Sequence, residues 1–228
     1  MNFLKIKNFL LVFLIIFSYL ISVVKTYAVD ITADRTISSS SDGDQYNIKT
    51  NNDIDVIVTN NSTLERNQKI FNVSAASLTG SSITIHLGSS VIAETNSIFS
   101  NGAELTITNT GTIEATNSKA INVSNSDGVS ITNNNNGVIK SNNNTILGDA
   151  GTGADNVTID NSGEIYTTAT GTESSAIVFA NNDTGNTITN NSGGEIYSSG
   201  SESTIVLGVS STLTNSGSIK NNKSVSNK

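Results

Sequence analysis

An all-β, parallel β-helical solenoid is the fold class that the 228-residue sequence predicts, and three observations carry that expectation. The first is a motif that keeps returning. Residues 105–113 read Leu-Thr-Ile-Thr-Asn-Thr-Gly-Thr-Ile, with related copies at 129–139, 157–165, 187–196 and 213–219. The motif glycines fall at 111, 137, 163, 193 and 217, in steps of 26, 26, 30 and 24 residues. A period of that size marks a solenoid, in which each repeat buries its apolar face only against its neighbours. The second observation is the alternation of Ile, Val and Thr ahead of each corner, a strand pattern of period two. The third is that nothing in the repeat region places apolar residues at i, i+3 and i+4 for a dozen residues, which argues against helical repeats.

Each repeat divides into three short strands. The first ends at Asn-x-Gly, a corner, because Asn and Gly tolerate the unusual dihedrals that a bend demands. Corner residues are Asn109 and Gly111, Asn135 and Gly137, Asn161 and Gly163, Asn191 and Gly193, and Asn215 and Gly217. The second strand opens on the isoleucine after the corner: Ile113, Ile139, Ile165, Ile196 or Ile219. The third is a later apolar run, at 120–123, 145–147, 176–179 and 204–207. Stacked in register, the corner asparagines either hydrogen-bond along the axis as an amide ladder or serve only as turn formers.

In chain order, residues 1–28 read as a signal peptide. Lys5 and Lys7 form a basic start, and the apolar run 10–24 falls short of the about 20 residues of a membrane span. Thr26-Tyr27-Ala28 then places small residues before a cleavage point after Ala28. An uncleaved membrane anchor is the alternative. Residues 29–53 are polar and form a leader or an N-terminal cap, which solenoids need over their first exposed edge. Residues 54–61 and 83–92 are degenerate early coils, the first without the Gly and the second without the Asn. Aligning Val58, Ile85, Ile107, Ile131, Ile159, Ile188 and Leu213 predicts six to seven coils over 54–220. At about 4.8 Å per coil they make a rod on the order of 30 Å long. Residues 221–228 form a polar tail. Insertions at 148–156 and 181–186 are expected to loop out on one face, where any binding would be expected.

Composition narrows the partners. There is no cysteine, so no disulfide staples the chain. Without Lys5, Lys7 and Lys25, nine basic residues face 19 acidic ones, a net charge of −10. Arg35 and Arg66 are the only arginines. Nucleic acid and anionic lipid, which need clustered cations, are therefore not expected as partners.

The pattern Thr-[Ile/Leu]-Thr-Asn-x-Gly-x-Ile, followed by an Ala-Ile-x-Val strand, resembles the repeats of bacterial autotransporter passenger domains. It stands at 106–113 with 120–123, and again through Asn161-Ser162-Gly163-Glu164-Ile165 with Ala176-Ile177-Val178. The resemblance covers 82–220. It implies a right-handed parallel β-helix, exported and displayed on or released from a Gram-negative surface, acting as an adhesin toward a host-surface protein or glycan. Such passengers carry a C-terminal outer-membrane barrel, and no stretch after Ile219 has that strand pattern. A periplasmic location follows if no barrel is supplied, and a remnant of a longer gene is a third reading. End-to-end self-association is expected of uncovered terminal coils.

Catalysis is not expected, and the main alternative is a polysaccharide lyase or glycoside hydrolase. Glu164 and Glu195 each precede a post-corner isoleucine, so stacking brings them near each other as a carboxylate pair. Glu114 follows its isoleucine and points elsewhere, and Asp155, Asp160 and Asp183 lie on or near the insertions. All are expected as solvated, outward-facing acids, since no basic or aromatic partner accompanies them. His86 is the sole histidine, so no transition-metal site is expected and no cofactor is implied. Gly151-Thr152-Gly153 has no lysine after it and is not a phosphate loop. Tyr166 and Tyr197 occupy equivalent places and form an outward strip, for cross-coil packing or for sugar rings.

Overall fold

The computed structural model describes residues 28–49, 52–59, 61–74, 78–102, 104–148 and 153–221. All regular structure among them is β, in 24 strands of two to five residues. These form three eight-stranded sheets, and each strand pairs in parallel with the strands three before and three after it. The first sheet runs from Ala28–Ile31 to Ile205–Val206, the second from Arg35–Ile37 to Thr212–Asn215, the third from Ser41–Asp42 to Ser218–Asn221. The fold is a parallel β-solenoid. Within 54–220 the first sheet contributes six strands and the others seven each, which matches the expected six to seven coils. The stretch read as a leader or cap supplies the remaining strand layers, Ala28–Ile31 with Arg35–Ile37 and Ser41–Asp42, and Gln45–Ile48.

Alternation decides which side chains enter the interior. In Leu105–Asn109, Leu105, Ile107 and Asn109 are buried while Thr106 and Thr108 face outward. In-register stacking turns each inward position into a column. The second sheet stacks Val56, Ile83, Ile107, Ile131, Ile159, Ile188 and Leu213. The third stacks Leu64, Val91, Ile113, Ile139, Ile165, Ile196 and Ile219. The first stacks Phe71, Ile98, Ile121, Ile146, Ile177 and Ile205. Mid-rod isoleucines such as Ile131, Ile159, Ile139 and Ile165 pack on isoleucines above and below, where β-branched side chains fit best. The mid-coil members are fully buried.

The register corrects one alignment. Ile107 pairs with Ile83, and Ile85 pairs with Asn109. Val58 and Ile85 therefore belong to the column that later becomes asparagine, not to the isoleucine column. Both inward positions of the early coils are aliphatic, so apolarity alone allows a slip of two residues.

The two ends differ. At the N-terminal end Ile31 and Ile37 are already buried, and Tyr46 stacks on Phe71 with centroids 5.5 Å apart. At the C-terminal end every residue of Thr212–Asn215 is exposed, and Leu213, last of its column, is 39% exposed. The expected signal segment lies outside the described residues except for Ala28, which opens the first strand, and the tail beyond Asn221 lies outside them too. Among the described residues no helix is long and apolar enough to cross a membrane.

Candidate functional site

The corner between the second and third sheets is where the repeat motif concentrates. Asn109, Asn133, Asn161, Asn190 and Asn215 end their strands in mutual register. Each Nδ2 donates to the Oδ1 of the next coil's asparagine at 2.8 Å, in four successive steps. The remaining Nδ2 hydrogens reach corner carbonyls, as from Asn161 to Gly163 at 3.1 Å and from Asn190 to Gly194 at 3.2 Å. The first four asparagines are fully buried, so this is an amide ladder inside the solenoid, with its polar atoms paired. Burial in a low-dielectric interior makes such a satisfied network strong and makes any break in it costly.

Asn109, Asn161 and Asn215 stand where the motif placed them. Asn135 and Asn191 do not join the ladder; Asn133 and Asn190 take those positions. The physical reason is strand parity: Asn133 follows Ile131 by two residues, as Asn109 follows Ile107. Counting back from the glycine misleads wherever the corner is lengthened by extra asparagines. Asn135 is exposed, and Asn191 donates to Asp160 and to Ser162 Oγ on the surface of the corner.

Four of the corner glycines are also in place, for a reason other than dihedral freedom. A Cβ on Gly163 would collide with the carbonyls of Gly137 and Asn134 in the coil before. Gly111, Gly137 and Gly217 face similar carbonyls. In the fourth repeat the close approach falls on Gly194, while Gly193 is exposed, with φ of 91° and open space around it.

Beside this corner the third sheet presents two outward columns. Glu164 and Glu195 are register partners, as are Tyr166 and Tyr197. Asn136, Gly137, Gly163, Gly193 and the two glutamates line an open cleft of about 350 Å³. The tyrosine rings stack 4.5 Å apart and 7° from parallel, with Lys140 and Lys220 as their register neighbours on either side. Their inner faces are thus taken up by each other. Burial foremost, then the neighbouring Tyr166 and Glu164, pushes the Tyr197 phenol well above its ordinary range. Lys220 lies 3.5 Å from Glu195, and Lys140 lies 2.9 Å from Glu114. The acids therefore do have basic and aromatic neighbours, which reading the strands one at a time did not find. The signal was there in the equal spacing of Lys140, Tyr166, Tyr197 and Lys220 from their post-corner isoleucines.

Other candidates separate. Asp183 is fully buried rather than solvated: its carboxylate accepts the backbone N–H of Ala154 at 2.9 Å and of Ala180 at 2.7 Å. It ties one insertion to the next. Asp155 caps Thr184 N at 2.6 Å, and Asp160 is exposed. His86 is exposed, with Nδ1 3.5 Å from Thr59 Oγ1. Gly151 and Thr152 lie outside the described residues. Among the described residues no three His, Cys, Asp or Glu side chains gather closely enough to hold a metal ion. No protein-family model matches the chain, and no curated protein or solved structure matches it significantly, so the fold and the corner geometry stand on this chain alone.

Proposed function

We propose that the chain is an exported, non-catalytic β-solenoid that presents its side faces for adhesion, as the autotransporter passengers whose repeats it resembles do. The observation that carries this reading is the repeated corner that begins at an asparagine and closes at a glycine, whose asparagines lock successive coils into one rod. A rod of that kind holds outward columns of side chains at a fixed spacing of about 4.8 Å, a surface suited to a repeating or extended partner. The acidic net charge and the presence of only two arginines agree with a partner that is neither nucleic acid nor anionic lipid. Fractionating the native cells and shaving intact cells with protease tests the location, and binding of the purified chain to host-cell monolayers and glycan surfaces tests the role. Recovery at the surface or in the medium, with saturable binding, is expected. Confinement to the cytoplasm overturns the proposal.

One observation favours a second reading, a polysaccharide-cleaving enzyme. Register partners on adjacent strands lie about 4.8 Å apart, close to the about 5–5.5 Å between carboxyls that retaining glycosidases use, and Glu164 and Glu195 are such partners. Reducing-end and unsaturated-uronide assays on a polysaccharide panel discriminate. No release above the protein-free control is expected, whereas turnover abolished by Glu164→Gln or Glu195→Gln establishes the enzyme.

A further inference from the structure

One inward column of the third sheet carries an anomaly. Its last strand position runs Arg66, Ala93, Ala115, Ser141, Thr167, Ser198 and Asn221 through successive coils. Five coils place a small residue there, the last places an exposed asparagine, and one places a guanidinium. Arg66 is 8% exposed, and a buried charge needs partners to offset lost hydration. It finds them unevenly. Nη1 donates to Gln45 Oε1 at 2.8 Å and to the Lys69 carbonyl at 3.1 Å, Nη2 reaches Gln68 Oε1 at 3.4 Å, and Nε has no hydrogen-bond partner among the described residues. Burial holds its pKa below the ordinary value, with Asp44 pulling the other way.

These contacts organise what lies outside. The guanidinium takes the carbonyl oxygens of Gln45 and Gln68, both of which line an open cleft of about 440 Å³ together with Lys69, Asn72 and Thr95. That volume falls in the range of about 300–1,000 Å³ typical of small-molecule sites. Lys69 Nζ sits 3.4 Å from the centroid of the Phe99 ring, a cation held over an aromatic face. Burial lowers its pKa. Among the described residues neither Arg66 nor Lys69 forms an ion pair, in a chain whose net charge is −7. Two neighbouring cations without a carboxylate ion pair, ringed by amides and a hydroxyl, form a site complementary to an anion that also carries hydroxyl groups.

We propose that this cleft binds an acidic sugar residue, its carboxylate on Lys69 with Arg66 behind, its hydroxyls on Gln45, Gln68, Asn72 and Thr95. The assignment rests on the adhesive reading, for which it names a class of glycan. Amide-resolved NMR titration of the full chain tests it with three probes: D-glucuronate, D-glucose and inorganic phosphate. Glucuronate is expected to give saturable shifts at Gln68, Lys69 and Asn72, with glucose and phosphate each about tenfold weaker or more, as loss of a charge-assisted hydrogen bond or of the hydroxyl contacts implies. Lys69→Gln, which leaves the column intact, is expected to weaken glucuronate by about tenfold with an unchanged thermal melt. Arg66→Gln alters the interior as well, so Lys69→Gln is the variant that decides. No saturation by glucuronate, equal binding of glucuronate and glucose, phosphate binding as tightly as glucuronate, or indifference to Lys69→Gln each overturns the site. Adhesion that survives Lys69→Gln removes this cleft as the contact and leaves the adhesive role standing. Glucuronate binding without any adhesion does the reverse.

Discussion

Asn161 accepts an amide hydrogen bond from Asn133 and donates one to Asn190, so removing it orphans a donor on one side and an acceptor on the other. Each buried orphan costs about 1–3 kcal/mol. Asn161→Ala is accordingly expected to destabilise by about 3 kcal/mol in urea unfolding, and Asn215→Ala, at the exposed end, by less than about 1 kcal/mol. Equal effects would mean that the ladder contributes no more than ordinary turns do. Gly163→Ala forces a methyl against the Gly137 carbonyl and is expected to cost about 2 kcal/mol or more, whereas Gly171→Ala, with open space and no left-handed φ, is expected within about 0.5 kcal/mol of neutral. Tyr197 supplies a pH dependence. Its folded pKa lies above the unfolded value, so its contribution is intact below pH about 10 and declines as pH rises past it. Melting curves of wild type and Tyr197→Phe are expected to run parallel from pH 8 to about 9.5 and to diverge above pH about 10, wild type losing more.

At the scale of the strand and the corner, what was legible and what was not have separate causes. Strand alternation and the recurring glycine could be read directly, because a half-buried strand writes its two faces into successive residues. The three-sheet coil followed. Register was less legible. Ile83 and Ile85 are both inward and both isoleucine, so no local signal says which of them meets Ile107. The asparagine runs at 133–136 and 190–191 hid the ladder members in the same way, although counting two residues on from Ile131 and Ile188 finds them. Contacts made across coils by long side chains outside the strands had no sequence signal. Glu173 accepts Asn143 Nδ2 at 2.7 Å and Lys119 Nζ at 3.3 Å, and these hydrogen bonds hold its carboxyl below the usual range. Those residues are 30 and 54 positions away. The Arg66 cleft was illegible for the same reason, since its meaning depends on the alanines and serines stacked above it.

Across the whole molecule, stability is a sum over neighbouring coils, because each strand touches only the strands one coil away. Among the described residues the first and last coils have one neighbour where the others have two, and of these end strands Thr212–Asn215 is exposed at every residue. Hydrogen–deuterium exchange is therefore expected to be fastest, among paired amides, in Thr212–Asn215 and Ser218–Asn221, and slowest in mid-rod strands such as Thr158–Asn161 and Glu164–Thr167. Uniform protection would instead indicate a single cooperative unit. The ladder has one more consequence. In a parallel sheet, neighbouring backbone N–H groups point alternately up and down the stack, so their dipoles largely cancel along the rod. The side-chain amides of the ladder do not alternate, because each of the four linking Nδ2 groups donates toward the C-terminal coil. Their dipoles add head to tail, as peptide dipoles do in a helix, giving the solenoid an electrical polarity with its positive end at Asn215. Any further coil stacked there meets an amide donor already polarised by four others, and growth from that end favours an asparagine at the same corner.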